Sequence, residues 1–340
     1  MARRHTIQDL AARADVSVST IDRILNGRDK VRSATATRVL AAAEEMGFYA
    51  LPALRQRLQP ARPKVKLGFL LQQSDRGFYR GIAEALRSAS ASVSEPVELV
   101  VEYLDDLSPD TVAARILRLG AQVQALAVVS AEHPRISAAI EVLAGNGVPT
   151  YGLISELSAA CSTGYIGLDN WRVGRTAAWA ATGMSRRPGR LAIILGNHRY
   201  RCQDLNESGF RSYCREHAPD FTVLEPVQTF EDNSIAREVT EQLLRREPDL
   251  VGLYVGGGGM PGVLEALRAT GKAGTIVAVG NDMTEHTRMG LVDRILTMII
   301  AHPIQRLTTE AVLQMQGDIA SRAVPGKRVL GFDLFSPENV

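Results

Sequence analysis

The chain has 340 residues, more than one hydrophobic core usually holds, so two or three domains are expected. Its content of 45% hydrophobic and 22% charged residues is typical of a globular protein and excludes fibrous and disordered classes. The three cysteines, Cys161, Cys202 and Cys214, predict neither a disulfide framework nor a metal site, because they are odd in number and lack ligand spacing. No apolar run is long enough for a membrane span and no secretory leader is recognisable, so we expect a cytoplasmic protein without a membrane partner.

Charge is distributed unevenly along the chain. The formal net charge is +2, but residues 1–64 carry twelve Lys or Arg against six Asp or Glu, an excess of six positive charges. The remaining residues therefore carry an excess of four negative charges. A basic N-terminal segment on an acidic body is typical of a DNA-binding domain joined to a domain that does not contact DNA.

The N-terminal segment 6–26, TIQDLAARADVSVSTIDRILN, predicts two short helices. Ile7, Leu10 and Ala14 share one face of the first helix, and Ile21 and Ile24 share one face of the second. Such short helices need a partner, which a third helix over 33–46 would supply. The pattern predicts a helix-turn-helix, whose second helix enters the DNA major groove. The alternative is an ordinary helical hairpin with a solvated polar face.

The exposed face of the second helix supplies the candidate DNA contacts. Arg23 can bond both acceptors of a guanine edge, Val18 can contact a thymine methyl, and Ser19 can bond a base edge. Short polar side chains suited to phosphate oxygens flank them: Thr6, Ser17, Thr20 and Asn26.

These segments resemble the N-terminal domain of the lactose-repressor (LacI/GalR) family. The shared marks are T-I-x-D-L-A, V-S-x-x-T-I-x-R-I-L-N-G and a third helix that ends in G-F. The resemblance implies a sequence-specific transcriptional regulator, a repressor that binds palindromic operator DNA as a homodimer. Asp22 departs from the family, which has Ser or Thr there. A carboxylate near phosphates costs affinity unless Arg23 or Arg28 neutralises it, or unless it accepts from a cytosine amine.

Residues 50–64 form a connector in which Pro52 precedes a predicted short helix over 53–58. In the family, the matching segment folds into a hinge helix on DNA, and a leucine wedges into the minor groove. Leu54 and Leu58 are the candidates here, although an ungapped alignment places Arg57 at the wedge position. A flexible basic linker is the alternative.

From Val65 onwards, strands and helices alternate, first over 65–154 and again over 189–282, which predicts doubly wound parallel sheets. With the run GYIGLDNWRVG at 164–174, this resembles the two-lobed, type I periplasmic-binding-protein fold of the family's effector domain. The predicted fold is therefore α/β with an all-α head: a helix-turn-helix domain at 1–49, a hinge at 50–64 and an effector and dimerisation domain at 65–340. Within the last, lobe 1 is expected at about 65–163 plus 292–325, and lobe 2 at about 164–291.

Ligands of open parallel sheets bind beyond the carboxyl ends of the strands. After the first strand, Asp75, Phe78 and Tyr79 match the polar group and paired aromatics of sugar-binding relatives. Alternatively, Phe78 only caps the core. Asp282 and His302 match ligand-facing positions of the family, and Asn281 replaces its usual aromatic residue. Further candidates from other strand ends are Asp169, Arg201 and Asp204, of which Asp169 can instead be a helix cap.

The run Gly256–Gly259 replaces a frequent Asn-Asp of the family. Its bare backbone N–H groups can form an anion nest or simply a tight turn. The resemblance implies a sugar, polyol or sugar acid as effector, and a phosphorylated form is conceivable. No cofactor is expected.

Two other functions are less consistent with the sequence. An enzyme is disfavoured because there is no P-loop, no dinucleotide-binding glycine spacing and no catalytic triad spacing. A transport-type binding protein is disfavoured by the basic N-terminal segment. The C-terminal segment lacks the leucine heptads of tetrameric members, so a dimer is expected.

Overall fold

A computed structural model describes residues 5–26, 31, 33–58 and 64–340. The chain divides into two compact units, residues 1–64 and 65–340, which we call the head and the body. Each unit is described separately. None of the helices in the described ranges is both long and apolar enough to span a membrane.

The described residues of the head form four helices: α1 (Ile7–Arg13), α2 (Val18–Asn26), α3 (Ser33–Glu45) and α4 (Leu51–Leu58). Leu10, Ile21, Ile24 and Val39 form its buried centre, as the helical spacing of the sequence predicts. Ion pairs from Arg13 to Glu45, Arg38 to Asp15 and Arg55 to Glu44 tie the helices together at the surface. The helix predicted at 53–58 begins two residues earlier, with Pro52 in its first turn.

The body contains two sheets, and the predicted doubly wound parallel fold is confirmed. The first sheet has the strand order β12-β5-β4-β3-β1-β2, and every pairing in it is parallel. Its strands are β1 (Val65–Gln72), β2 (Val97–Leu104), β3 (Ala125–Val128), β4 (Thr150–Leu153), β5 (Gly164–Leu168) and β12 (Lys327–Leu330). Its helices are α5 (Gly77–Ser92), α6 (Pro109–Gly120), α7 (Pro134–Gly145) and α13 (Ile304–Ser321).

The second sheet has the order β13-β11-β10-β9-β6-β7, with β8 also pairing with β6. Only β13 is antiparallel among these pairings. Its strands are β6 (Arg190–Leu195), β7 (Thr222–Val223), β8 (Val227–Gln228), β9 (Leu250–Val255), β10 (Val277–Asn281), β11 (Met298–Ala301) and β13 (Asp333–Phe335). Its helices are α8 (Asn170–Gly183), α9 (Arg201–His217), α10 (Asn233–Arg246), α11 (Met260–Ala269) and α12 (Glu285–Val292).

Two boundaries differ from the sequence-based expectation. The expected lobe 2 began at 164 and ended at 291, but β5 pairs with β4 in the first sheet and β11 pairs with β10 in the second. When the lobes are defined by their sheets, the chain therefore crosses from one lobe to the other three times, after β5, after β11 and after β12. The segment 222–230 also forms two short strands instead of one, because Pro226 lies between them and lacks the N–H needed for pairing.

Helices α8 and α9 pack closely because two glycines meet at their crossing. A β-carbon at Gly174 would lie 1.9 Å from the carbonyl oxygen of Asn206, and one at Gly209 would lie 2.1 Å from that of Trp171. Any larger residue would force the helices apart. This close crossing brings the first turns of α9 to the edge of the second sheet, where its strands end.

Candidate functional site

The first candidate site is the exposed face of α2 in the head. Ser17, Val18, Ser19 and Arg23 all lie on this face, and Val18 is 45% exposed although it is apolar. An exposed apolar side chain beside hydroxyl groups suits contact with a thymine methyl. The predicted base-reading residues are thus brought together on one accessible surface.

Local hydrogen bonds hold the polar residues of this face. Ser17 Oγ accepts from the Thr20 amide at 3.2 Å, which places Ser17 at the start of α2. Arg23 Nε donates to the Ser19 carbonyl oxygen at 3.3 Å, and Asn26 Nδ2 donates to Asp22 Oδ1 at 3.0 Å. Asp22 is therefore bonded within its own helix, and Arg28, its other predicted partner, lies outside the described residues.

Thr6 forms the capping box of α1. Its hydroxyl accepts from the Asp9 amide at 3.3 Å, and Asp9 Oδ2 accepts from the Thr6 amide at 2.8 Å. A capping box of this kind satisfies two backbone donors at the helix start. The phosphate contact proposed for Thr6 from the sequence remains a prediction.

The structure does not present the two predicted wedge leucines to DNA. Leu54 is 0% exposed and Leu58 is 8% exposed, because α4 packs them into the core of the head. In addition, Arg57 Nη1 donates to the Ile24 carbonyl oxygen at 3.2 Å, which ties α4 to the end of α2. Leu54 and Leu58 therefore belong to the core of the head in this structure, and their contact with DNA remains a prediction.

The second candidate site is a cavity of about 520 Å³ in the body, and its size suits a small ligand. It lies beyond the carboxyl ends of strands from both sheets, as parallel sheets predict. Of the residues predicted from the sequence, six line it: Asp75, Phe78, Tyr79, Asn281, Asp282 and His302.

Aromatic side chains form one wall of the cavity. The rings of Phe78 and Tyr79 meet edge-on with centroids 5.2 Å apart, and the Phe78 ring lies 6.0 Å from the His302 ring. Burial raises the pKa of Tyr79 well above its usual value, so its hydroxyl stays protonated and donates to Gln72 Oε1 at 3.2 Å. A flat apolar wall with fixed polar groups beside it suits the C–H face of a sugar.

Asp282 and His302 form a pair at the ends of β10 and β11. Asp282 Oδ1 lies 2.7 Å from His302 Nδ1 and also accepts from the His302 amide at 3.1 Å. With Nδ1 donating to the carboxylate, a neutral imidazole leaves Nε2 as an acceptor. In the described part of the chain, the buried Nε2 of His302 has no hydrogen-bond partner, so it is suited to accept from a ligand hydroxyl.

Three predicted residues do not line the cavity. Asp169 caps α8 by accepting from the Arg172 amide at 3.1 Å, which is the alternative role that the sequence left open. Arg201 and Asp204 pair with each other at 3.2 Å along the first turn of α9. Local partners therefore satisfy all three, and their prediction as effector-binding residues is not supported by the geometry.

Several lining residues were missed by sequence reasoning. Glu231 follows β8 and stands beside the glycines that end β9, while Gln203 and Arg76 approach it from α9 and from the loop after β1. Position alone could have found Glu231, because it lies at a strand end of the second lobe. Its partners could not have been found in this way, since they are 28 and 155 residues away.

Hydrogen bonds join the two lobes across this cavity. Gln72 Nε2 donates to the Tyr200 hydroxyl at 2.7 Å, the Glu132 amide donates to the Arg199 carbonyl oxygen at 2.7 Å, and Arg76 donates to the Glu231 carbonyl oxygen. The lobes are thus held in a closed arrangement. Among the described residues, no group of three His, Cys, Asp or Glu side chains is placed to hold a metal ion.

Comparison with known proteins assigns both units. Residues 6–50 match the family of bacterial regulatory proteins described as the lacI family, and residues 67–317 match the periplasmic binding protein domain. The maltose regulon regulatory protein MalI of Escherichia coli is 49% identical over 47 residues, a stretch that spans 14% of this chain and 14% of that protein.

Solved structures resemble the body. A solute-binding protein of an ABC transporter from Agrobacterium vitis, bound to α-D-tagatopyranose, is 20% identical with a TM-score of 0.74, covering 82% of this chain and 96% of its own. A periplasmic solute-binding protein from Actinobacillus succinogenes, with bound D-allose, is 16% identical with a TM-score of 0.73, covering 81% and 99%. At these identities the likeness establishes the fold. The chain belongs to the periplasmic binding protein domain family over residues 67–317, and its residues 6–50 form a helix-turn-helix domain of the lacI family of bacterial regulatory proteins.

Proposed function

We propose that the protein is a homodimeric transcriptional repressor whose affinity for a palindromic operator is controlled by a small polyhydroxylated ligand bound between the two lobes. As a regulator that acts on DNA, it would work in the cytoplasm. The family points to a binding protein and not to an enzyme.

The observation that carries the ligand assignment is the cavity in which the Asp282–His302 pair lies beside the aromatic wall of Phe78 and Tyr79. A carboxylate and an imidazole accept hydrogen bonds from hydroxyl groups, while the rings contact C–H faces. Two of the structurally similar proteins were solved with α-D-tagatopyranose and D-allose, which supports a monosaccharide-sized ligand.

The proposed control mechanism is linkage between ligand and DNA. The lobes are joined by few direct hydrogen bonds, such as Gln72 to Tyr200, so a ligand that bonds both lobes favours the closed arrangement. In a dimer, the arrangement of the lobes would set the separation of the two heads. Ligand binding would then change DNA affinity by the same free energy by which DNA changes ligand affinity.

The test is a thermal-shift screen of the full chain with a panel of monosaccharides and polyols. A ligand of the cleft should raise the melting temperature of the wild type and of Arg23→Ala but not of Asp282→Ala. Operator binding should instead be weakened by Arg23→Ala and retained in Asp282→Ala, because Arg23→Ala removes a base contact and leaves the cleft intact.

Operator binding is then titrated with and without the ligand found in the screen. A change in the dissociation constant that Asp282→Ala abolishes supports the coupling. If no compound of the panel changes the melting temperature, or if ligand and operator bind independently, the proposed function is wrong.

A further inference from the structure

A carboxylate of the chain itself lies against the glycine run that the sequence suggested as an anion site. We call Gly256–Gly259, which precede α11, the glycine loop. A β-carbon at Gly258 would lie 1.9 Å from Glu231 Oε2, and one at Gly196 would lie 1.5 Å from Glu231 Oε1. A β-carbon at either position would displace the Glu231 carboxylate, so in this structure the carboxylate fits between two bare segments of backbone.

Glu231 is held there by an ordered set of hydrogen bonds. Gln203 Nε2 donates to Glu231 Oε1 at 2.9 Å. The other end of the same amide, Gln203 Oε1, accepts from the amides of Gly196 at 2.7 Å and Asn197 at 3.0 Å. Gln203 is buried, so the carboxylate is positioned by a side chain that is itself fixed at both ends.

The backbone at this position is unusual for residues with side chains. Phe230 and Glu231 both have left-handed backbone angles, with φ of +51° and +63°. Two consecutive non-glycine residues in this region are disfavoured and persist where the surroundings determine them, which is common at binding sites. The loop is therefore built to direct the Glu231 carboxylate towards the glycine loop.

The charged side chains that line the cavity are mostly acidic, as Glu231 is. Five carboxylates line the cavity against two guanidinium groups, those of Arg76 and Arg80; the acids are Asp75, Glu231, Asp232, Asp282 and Glu285. Hydrogen bonds from Ser234 and Ile235 lower the pKa of Asp232, which keeps it ionised. Arg76 donates to the Glu231 carbonyl oxygen and Arg80 donates to the carbonyl oxygens of Ser74 and Asp75, so both guanidinium groups bond backbone oxygens of the chain.

We propose that Glu231 determines ligand specificity, because its carboxylate occupies the space beside the glycine loop. The cleft then selects polyhydroxylated ligands that carry no anionic group. Neutral sugars, polyols and amino sugars are accepted, whereas sugar acids and sugar phosphates are repelled. The inference rests on the proposed function for the existence of a ligand, but Glu231 can be tested without knowing that ligand.

The first experiment uses inorganic phosphate as the probe. Thermal unfolding of the full chain is followed at constant ionic strength for the wild type, Glu231→Gln and the matched control Glu285→Gln, which removes the same charge from the cavity. Phosphate should stabilise Glu231→Gln with an affinity about tenfold or more above that for the other two proteins, because only this change removes the negative charge beside the glycine loop. Glu231→Gly also removes the side chain that fills this space, so it should bind phosphate at least as tightly. All three proteins share one head, so phosphate binding there cancels in the comparison.

Two further variants keep the outcome decisive. Glu231→Gly suits a φ of +63° and replaces Glu231→Gln if that protein does not fold. Adding Arg76→Ala to the variant should remove the gain in phosphate affinity, since Arg76 is the guanidinium beside Gly258. Equal phosphate affinity in the wild type and in folded Glu231 variants would overturn the proposal.

The second experiment compares each hexose with its hexuronic acid, its 6-phosphate and its 2-amino form. The wild type should respond to neutral or amino members only, and Glu231→Gln should gain the acidic ones. Stabilisation of the wild type by an acidic member above its neutral counterpart would contradict the role of Glu231 and leave the proposed function standing. A panel without any response would instead contradict the proposed function, while the phosphate result would still decide the role of Glu231.

Discussion

The DNA-binding face and the ligand cleft differ in how far apart in the sequence their hydrogen-bonded residues are. On α2, the side chains of Ser17, Arg23 and Asn26 bond partners no more than four residues away. Around the cleft, Asp282 bonds a residue 20 positions away, Gln72 one 128 positions away and Arg76 one 155 positions away. The geometry of one helix thus determines the first site, whereas the second exists only when both lobes are folded and closed. The following predictions test this difference, from the largest expected effect to the smallest.

Leu54→Ala should show that the exposed face of α2, although its own hydrogen bonds are local, depends on the packing of α4 in the head. The side chain is fully buried where α4 packs on the other helices of the head, so its truncation should cost roughly 2–5 kcal/mol of head stability. Operator binding should fall accordingly. The control is Leu51→Ala on the same helix, which is only partly buried. A head of normal stability with weaker DNA binding in Leu54→Ala would mean that the leucine contacts the minor groove instead of the core of the head.

Gly209→Ala should disturb the cleft, although Gly209 does not line the cavity. The new β-carbon would lie 2.1 Å from the Trp171 carbonyl oxygen, so α9 must move and the stability of the body should fall by about 1–3 kcal/mol. Gly183→Ala at the end of α8 is the matched control, because no atom lies within 4 Å of its β-carbon. Calorimetry of the two variants checks this. Equal unfolding temperatures would mean that the α8–α9 crossing adapts freely.

Arg23→Ala should reduce operator discrimination and leave ligand binding unchanged. Loss of a bidentate contact to guanine costs about 1–3 kcal/mol of discrimination. Competition between operator and random duplex measures this value. The control is Arg246→Ala on α10 of the body, which removes the same charge from the protein. An equal loss of affinity for both duplexes would assign Arg23 to phosphate contact instead of base reading.

The smallest effect should be an acid dependence of body stability at the α8–α9 crossing. Arg175 bonds both oxygens of Glu216 at 2.9 Å, which lowers the pKa of Glu216 to about 2. A lowered pKa means that the pair stabilises the folded state above the unfolded pKa of Glu216, about 4.3, and that this stabilisation is lost as the pH falls towards 2. Glu216→Gln should flatten the unfolding free energy over this window. Because Arg175 lies over the Trp171 ring, tryptophan fluorescence can follow the change.

Sequence reasoning succeeded where one residue's role depends on its neighbours in the chain. The alternation of strands and helices gave the sheets, and strand ends gave Asp282 and His302, because the carboxyl ends of parallel strands meet at one edge. It did not predict the burial of Leu54, because the helical spacing of this residue is compatible both with the core of the head and with a wedge. Asp204 resembled a cleft residue but is satisfied by Arg201 three residues away. Glu231 was missed because its significance comes from Gly196, Gln203 and Gly258, which are far from it in sequence.

The last strands of the chain limit how the lobes can move. β12 pairs with β5 of the first sheet, and β13 pairs with β11 of the second, with only Gly331 and Phe332 between them. The three Cα-to-Cα steps from Leu330 to Asp333 span at most about 11 Å, so this tether lets the lobes pivot but limits how far they can separate. Movement of one lobe against the other should therefore be smallest near residues 331–332 and should increase with distance from them.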